Sequence, residues 1–249
     1  MARVTDSKAM VQAGWDDVPH LDETTKAEML ESIPPHLRDA RTKGTPSFGS
    51  GTIYPVVQSE IIVAPFAIPR WWAKGYGFDV GWNRTAAIFG AHDRDSDVLY
   101  LYSEHYRGQA EPSVHAEAIK ARGTWLRGAI DPASRGRAQR DGTQLLSTYQ
   151  DLGLDVVPAD NAVEAGLMTV WQMLSTGRLK VFSTCTNWLA EHRLYRRDEK
   201  GRIVKERDHL MDACRYLCMT LGPVMQTPPV AKLESDMSTF SIASKIGGY

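Results

Sequence analysis

Three cysteines in 249 residues are too few and too unevenly placed to staple this chain. Cys185, Cys214 and Cys218 have neither the pairing of a disulfide framework nor the spacing of a zinc site, which excludes both kinds of small scaffold and points to a reducing compartment. Cys214 and Cys218, one helical turn apart, read as small core residues. Long apolar runs are missing as well. None approaches the roughly 20 residues that cross a bilayer, and no charged-then-apolar leader opens the chain. A soluble, intracellular protein with no membrane contact is predicted. Net charge is a third scarcity, since 29 Lys and Arg against 30 Asp and Glu leave −1. A balanced total can hide a polarised surface, so it argues neither for nor against an anionic partner. The phosphate loop G-x-x-x-x-G-K-S/T is also absent, and with it the nucleotide cradle of a P-loop motor.

What is present is enough for one good core, with 43% hydrophobic and 24% charged residues. Residues 1–69 read as a bridging piece, because Pro34, Pro35, Pro46, Pro55, Pro65 and Pro69 interrupt any long element. "HLDETTKAEMLESIPPHLRDARTKG" predicts two short helices, with Asp22 and Glu23 in the first turn, and "GTPSFGSGTIYPV" predicts a loop. From Tyr76 the pattern becomes a strand meander. "YGFDVG" sets Tyr76, Phe78 and Val80 on one face and Gly77, Asp79 and Gly81 on the other; "TAAIFGA" and "VLYLYSEHY" follow after tight turns. Helix and strand then alternate: "EPSVHAEAIKARGTW", "LRGAID", "DGTQLLSTYQDLG", "LDVVPA", "NAVEAGLMTVWQMLSTG", "RLKVF" and "CTNWLAEHRLYRR". "RRDEKGRIVKER" reads as a hairpin, and "DHLMDACRYLCMTL" is a last helix, apolar almost all round. An antiparallel meander followed by parallel strands with crossover helices makes an α/β fold. Its mixed sheet between helical layers is of the ribonuclease H type. Residues 222–249 have no sustained period and read as a flexible tail.

Asp79 interrupts the first apolar strand, Asp131 ends the fourth, and Asp208 and Asp212 open the last helix. In this strand order the first and fourth strands are neighbours, so Asp79 and Asp131 can meet, while Asp208 and Asp212, four apart, share a helix face. Taken singly, each acid has an ordinary reading: a strand-end Asp is most often a turn residue, and Asp208 suits an N-cap. Taken together, the carboxylates would repel one another and raise their own pKa values unless a cation joined them. Oxygen ligands without neighbouring cysteine or histidine favour Mg²⁺ or Mn²⁺, and two such ions about 4 Å apart would support phosphodiester hydrolysis. Gly77 and Gly81 on the Asp79 face read as space cleared for a ligand.

Local charge agrees with a nucleic-acid partner. Lys120, Arg122, Arg127, Arg135, Arg137 and Arg140 surround Asp131, and "DPASRGRAQR" places three of those arginines directly after it. Arg84, Arg135, Arg137 and Arg140 are the predicted backbone contacts. Arg193, Arg196, Arg197, Lys200, Arg202, Lys205 and Arg207 give the hairpin region a second basic run, which reads equally well as a solvated face. His92, His105 and His115 read as surface or satisfied groups, while His209, beside Asp208, is placed to orient a water or a carboxylate.

In that order, "YGFDVGWNRTAAIFG", "GAIDPAS", "DNAVEAGLMTVWQMLSTGRLKVF" and "DHLMDACRYL" resemble the nuclease domain of the large terminase subunit of tailed bacteriophages, over about residues 70–221. The resemblance implies a ribonuclease H-like, resolvase-like fold that cuts concatemeric double-stranded viral DNA with two divalent metals. It assigns the family's acidic positions to Asp79, Asp131 and Asp208, with Asp212 as a further metal-site residue. It implies portal and small terminase subunits as partners in the full motor, and the host cytoplasm as the place of action. "MVQAGWDDVPHL" resembles the end of that family's ATPase domain, so residues 1–69 are expected to hold that end and linker helices. With the phosphate loop missing, the chain is expected to be a C-terminal piece without ATPase activity. Two rival readings are a phosphotransferase of the actin or sugar-kinase kind, which needs a further glycine-rich loop, and a non-catalytic docking module.

Overall fold

The computed structural model describes residues 3–5, 8–10, 13–18, 20–32, 42–43, 51–135, 145–198 and 201–229. Two short strands, β1 (Arg3–Thr5) and β2 (Lys8–Met10), pair antiparallel with each other. In α1 (Glu23–Ser32) the preceding Asp22 caps the helix, its Oδ1 accepting the Thr25 amide at 2.8 Å. The second short helix predicted before Gly44 falls almost wholly outside the described residues. α2 (Gln58–Ile61) leads into β3 (Ile62–Val63), the first strand of the main sheet.

β4 (Ala73–Asp79), β5 (Thr85–Asp93) and β6 (Val98–Arg107) form the predicted antiparallel meander. Alternation follows through α3 (Pro112–Lys120), β7 (Arg127–Ile130), α4 (Leu145–Asp151), β8 (Asp155–Pro158), α5 (Val163–Ser175) and β9 (Leu179–Phe182). α6 (Thr186–Leu194), α7 (His209–Met219) and α8 (Leu221–Val224) close the chain. Across the seven-stranded sheet the order is β3-β9-β6-β5-β4-β7-β8, with β3/β9, β6/β9, β4/β7 and β7/β8 parallel. This is the mixed sheet between helices read from the sequence, and it makes β4 and β7 neighbours.

Strand alternation sends side chains to two cores. Tyr76, Phe78, Ala87 and Phe89 pack beneath α3 and α4, while Ala86, Ile88, Leu99 and Leu101 face α5, α6 and α7. α7 lies on the second face, and every residue from Leu210 to Cys218 is buried. Enclosing a leucine such as Leu210 or Leu217 stabilises by about 1.5–3 kcal/mol, so this helix is held chiefly by apolar packing. The contact is close because β4 presents glycine there. A Cβ on Gly77 would collide with the Ala213 carbonyl oxygen. The space beside Asp79 is therefore occupied by helix backbone, which corrects its reading as room for a ligand. Gly81, whose Cβ would lie 3.0 Å from the Arg84 carbonyl oxygen, serves the turn.

Other departures are local. α3 stops at Lys120 instead of running to Trp125, because Gly123 at φ +145° turns the chain in a conformation that side chains avoid. The hairpin predicted after α6 is present in short form: Arg197 and Ile203 bridge antiparallel, the Asp198 amide donates to the Arg202 carbonyl at 2.8 Å, and the Val204 amide donates to the Arg196 carbonyl at 3.0 Å. The sheet also reaches past 70–221. β3 pairs with β9, Tyr54 is buried in the core, Val224 is buried and Gln226 bridges Lys74, so residues 222–226 pack where a tail is expected. Residues 230–249 lie outside the described part.

Candidate metal centre

The register Phe78↔Ile130 between parallel β4 and β7 sets Asp79 and Asp131 side by side at adjacent strand ends. The Asp131 amide continues the ladder, donating to the Phe78 carbonyl at 2.8 Å. One oxygen of each carboxylate is committed. Asp79 Oδ2 lies 2.9 Å from His209 Nδ1, and Asp131 Oδ1 accepts the Ala133 amide at 2.9 Å and the Tyr216 hydroxyl at 3.2 Å. Asp79 Oδ1 and Asp131 Oδ2 have no hydrogen bond among the described residues.

α7 brings the other pair. Asp208 occupies its N-cap position without a side-chain cap bond, and Asp212 sits one turn on, both buried. Neither is free of countercharge. Lys205 Nζ stands 2.9 Å from Asp212 Oδ2 and 3.0 Å from Asp208 Oδ2, and Arg215, almost wholly buried, donates to Asp212 Oδ1 at 3.0 Å. The Lys205–Asp208 approach has ion-pair distance but not hydrogen-bond geometry, which leaves Asp208 Oδ2 buried without a hydrogen bond. The basic run that holds Lys205 reads as either phosphate-facing or solvated; Lys205 itself pairs with Asp208 and Asp212.

The electrostatics show convergence. Burial raises the Asp79 carboxyl above its ordinary value, the His209 hydrogen bond opposes this, and the Asp212 and Asp131 charges add to the rise. His209 is raised chiefly by its bond to Asp79. Burial acts to lower Lys205, but Asp212 and Asp208 outweigh it and hold the ammonium above its usual range. Tyr216 is pushed up by burial first and then by Asp131, Asp212 and Asp79 together, so its phenol lies within the field of all three.

Among the described residues, no three histidine, cysteine or carboxylate side chains form a ready-made metal cage. The donor set nevertheless fits a hard cation. Asp79 and Asp131 each offer an uncommitted oxygen, and the buried Asp208 Oδ2 lacks a hydrogen bond. Lys205, whose side chain is 62% exposed, is the cation that pairs the remaining two carboxylates.

Of the predicted DNA contacts, Arg84 stacks over the Tyr106 ring at 4.4 Å. Arg137, Arg140 and the Arg135 side chain lie outside the described residues. Several other basic residues of the two runs are tied down: Arg127 to Asp155, Lys120 to Glu117, Arg197 to Glu164 and Arg202 to Asp198. Sequence reasoning missed Tyr216, Arg215 and Glu191. The buried Glu191 carboxylate accepts the Leu210 amide at 2.6 Å and the Tyr106 hydroxyl at 2.7 Å, anchoring the first turn of α7. In sequence it is one more acid on a helix.

Comparison with known proteins agrees with this geometry. Residues 76–221 match the family described as Terminase RNaseH-like domain. The terminase large subunits of Salmonella phage P22 and Enterobacteria phage LP7 are each 34% identical over 223 residues, covering 84% of this chain and 44% and 46% of theirs. The chain thus spans less than half the length of these relatives. The solved nuclease domain of the P22 large terminase is 31% identical and superposes with a TM-score of 0.66, over 72% of this chain and 96% of that domain. With the family matched from within β4 through both acid-bearing strand ends and α7, the chain belongs to the terminase RNase H-like domain family.

Proposed function

We propose that this chain is a divalent-metal-dependent DNA endonuclease, the part of a phage packaging terminase that cuts concatemeric double-stranded DNA. The observation that carries the reading is the side-by-side placement of Asp79 and Asp131 on adjacent strand ends beneath the Asp208 and Asp212 helix. Its P22 relative is a nuclease domain of the same fold.

Asp79 and Asp131 would hold Mg²⁺ or Mn²⁺, with Asp208 or Asp212 completing the set as Lys205 withdraws. Two such ions, when bound, would polarise the phosphodiester, lower the pKa of a water and stabilise the leaving oxygen. The protein's own work is positional. His209 fixes the rotamer of Asp79, Tyr216 fixes Asp131, and Arg215 holds Asp212 through its hydrogen bond to Oδ1. Arg84, Arg135, Arg137 and Arg140 would contact the DNA backbone. In the full motor, portal and small terminase subunits would be the partners, and the host cytoplasm the place of action. ATP hydrolysis would reside outside these 249 residues.

The test is plasmid digestion with Mn²⁺, Mg²⁺ or EDTA, run beside Asp79→Asn. Nicking that needs metal and disappears in the folded variant supports the reading; undiminished cleavage by Asp79→Asn removes it.

A further inference from the structure

Next to the acidic site lies an open cleft of about 430 Å³, lined by Asn83, Arg84, Tyr106, Asn187, Ala190, Arg207 and His209. None of these carries a carboxylate. Arg84 and Arg207, which line it together, have no ion-pair partner among the described residues. The two arginines converge, since both act electrostatically on the Tyr106 hydroxyl.

The cleft is held in place by buried structure. Tyr106, under the Arg84 guanidinium, donates to Glu191 at 2.7 Å, and Glu191 also accepts the Leu210 amide. Asn187 is fixed because its amide and side-chain nitrogens both donate to Glu104 Oε1, at 2.9 and 2.7 Å. Arg207 sits at φ +55°, a left-handed conformation uncommon for a residue with a side chain and concentrated at ligand-binding positions. His209 joins this cleft to Asp79, since one ring lines the first and bonds the second. Two unpaired guanidiniums on a fixed frame, with amides beside them and no acid, make a phosphate-binding surface.

We propose that this cleft is a metal-independent subsite for the phosphodiester backbone of the DNA strand running toward Asp79, gripped by Arg84 and Arg207. The proposal rests on the endonuclease reading for the identity of the strand, but the grip itself needs neither metal nor cleavage. Arg84 is a backbone contact already expected from sequence; its pairing with Arg207 is not, because Arg84 lies in the β4–β5 turn and Arg207 just before α7.

Fluorescence anisotropy with a labelled duplex oligonucleotide, in EDTA, tests it on the full chain. Arg84→Ala and Arg207→Ala should each weaken binding about tenfold, and each should reduce the log–log salt slope by about one. Arg197→Ala, which removes the partner of Glu164 away from the cleft, should leave affinity unchanged. Unaltered affinity and salt slope in a double variant that melts like the parent would overturn the proposal. Displacement of DNA by inorganic phosphate or a mononucleotide at equal phosphate concentration would also overturn it, marking a simple anion site. If the arginine variants lose binding while Asp79→Asn still cleaves, the subsite stands and the metal-site reading falls.

Discussion

His209 and Asp79 meet across 130 positions of sequence, Nδ1 to Oδ2 at 2.9 Å. The contact ties the first turn of α7 to the end of β4, so it orients the carboxylate and joins the two halves of the acidic site. Removing the ring leaves Asp79 buried with less to oppose its burial. His209→Ala should therefore lower Mn²⁺ affinity roughly 10–100-fold, as losses of a partner behind a metal ligand do. Isothermal titration of metal into wild type and variant measures this, and His209→Gln, which keeps a donor, should recover part of the loss.

Lys205 supplies a different kind of test. It stands at ion-pair distance from Asp208 and Asp212 together. Because its side chain is largely exposed, the pairing contributes about 1 kcal/mol or less. Lys205→Ala should lower the melting temperature slightly in EDTA and enlarge the rise produced by Mn²⁺, since the ion no longer displaces an ammonium. An unchanged or smaller metal-induced rise would show that Lys205 does not compete for the site.

Acid sensitivity should arise elsewhere in the fold. His192 is buried, stacked on Trp188 with ring centroids at 5.1 Å, and neither ring nitrogen is hydrogen-bonded among the described residues. Burial pushes it down to about 4, and burial with the His115 and Arg122 charges pushes His105 down to about 4 as well. Between about pH 4 and 6.5 the unfolded chain then binds more protons than the native one. Stability present above pH 6.5 is thus lost as pH falls toward 4. Urea midpoints should drop across that window, and His192→Phe should flatten part of the drop; parallel curves would exclude His192 as a source.

The legible parts of the site were those that broke a pattern. Asp79 stands out because it interrupts an apolar strand, and Asp131 because strand order makes β7 a neighbour of β4. His209 was marked by its position beside Asp208. The partners that make the acids tolerable were not legible. Tyr216 and Arg215 lie on a helix buried all round, where periodicity does not say which side chain meets which strand. Lys205 was misplaced for a related reason. A basic run reads as solvated or phosphate-facing until the return path of its loop is known, and that path depends on the short hairpin around Arg197 and Ile203 and on Arg207 in a left-handed conformation. The glycine at 77 was noticed, but a missing side chain does not announce whether substrate or backbone fills the gap.

That gap has a wider meaning. Where Gly77 admits the Ala213 carbonyl, strand and helix touch main chain to main chain, with no compressible side chain between them. The offset from Asp79 to Asp212 is consequently gauged by peptide geometry, like the fixed jaw of a caliper. Adjustment is left to the other jaw, the exposed Lys205 side chain.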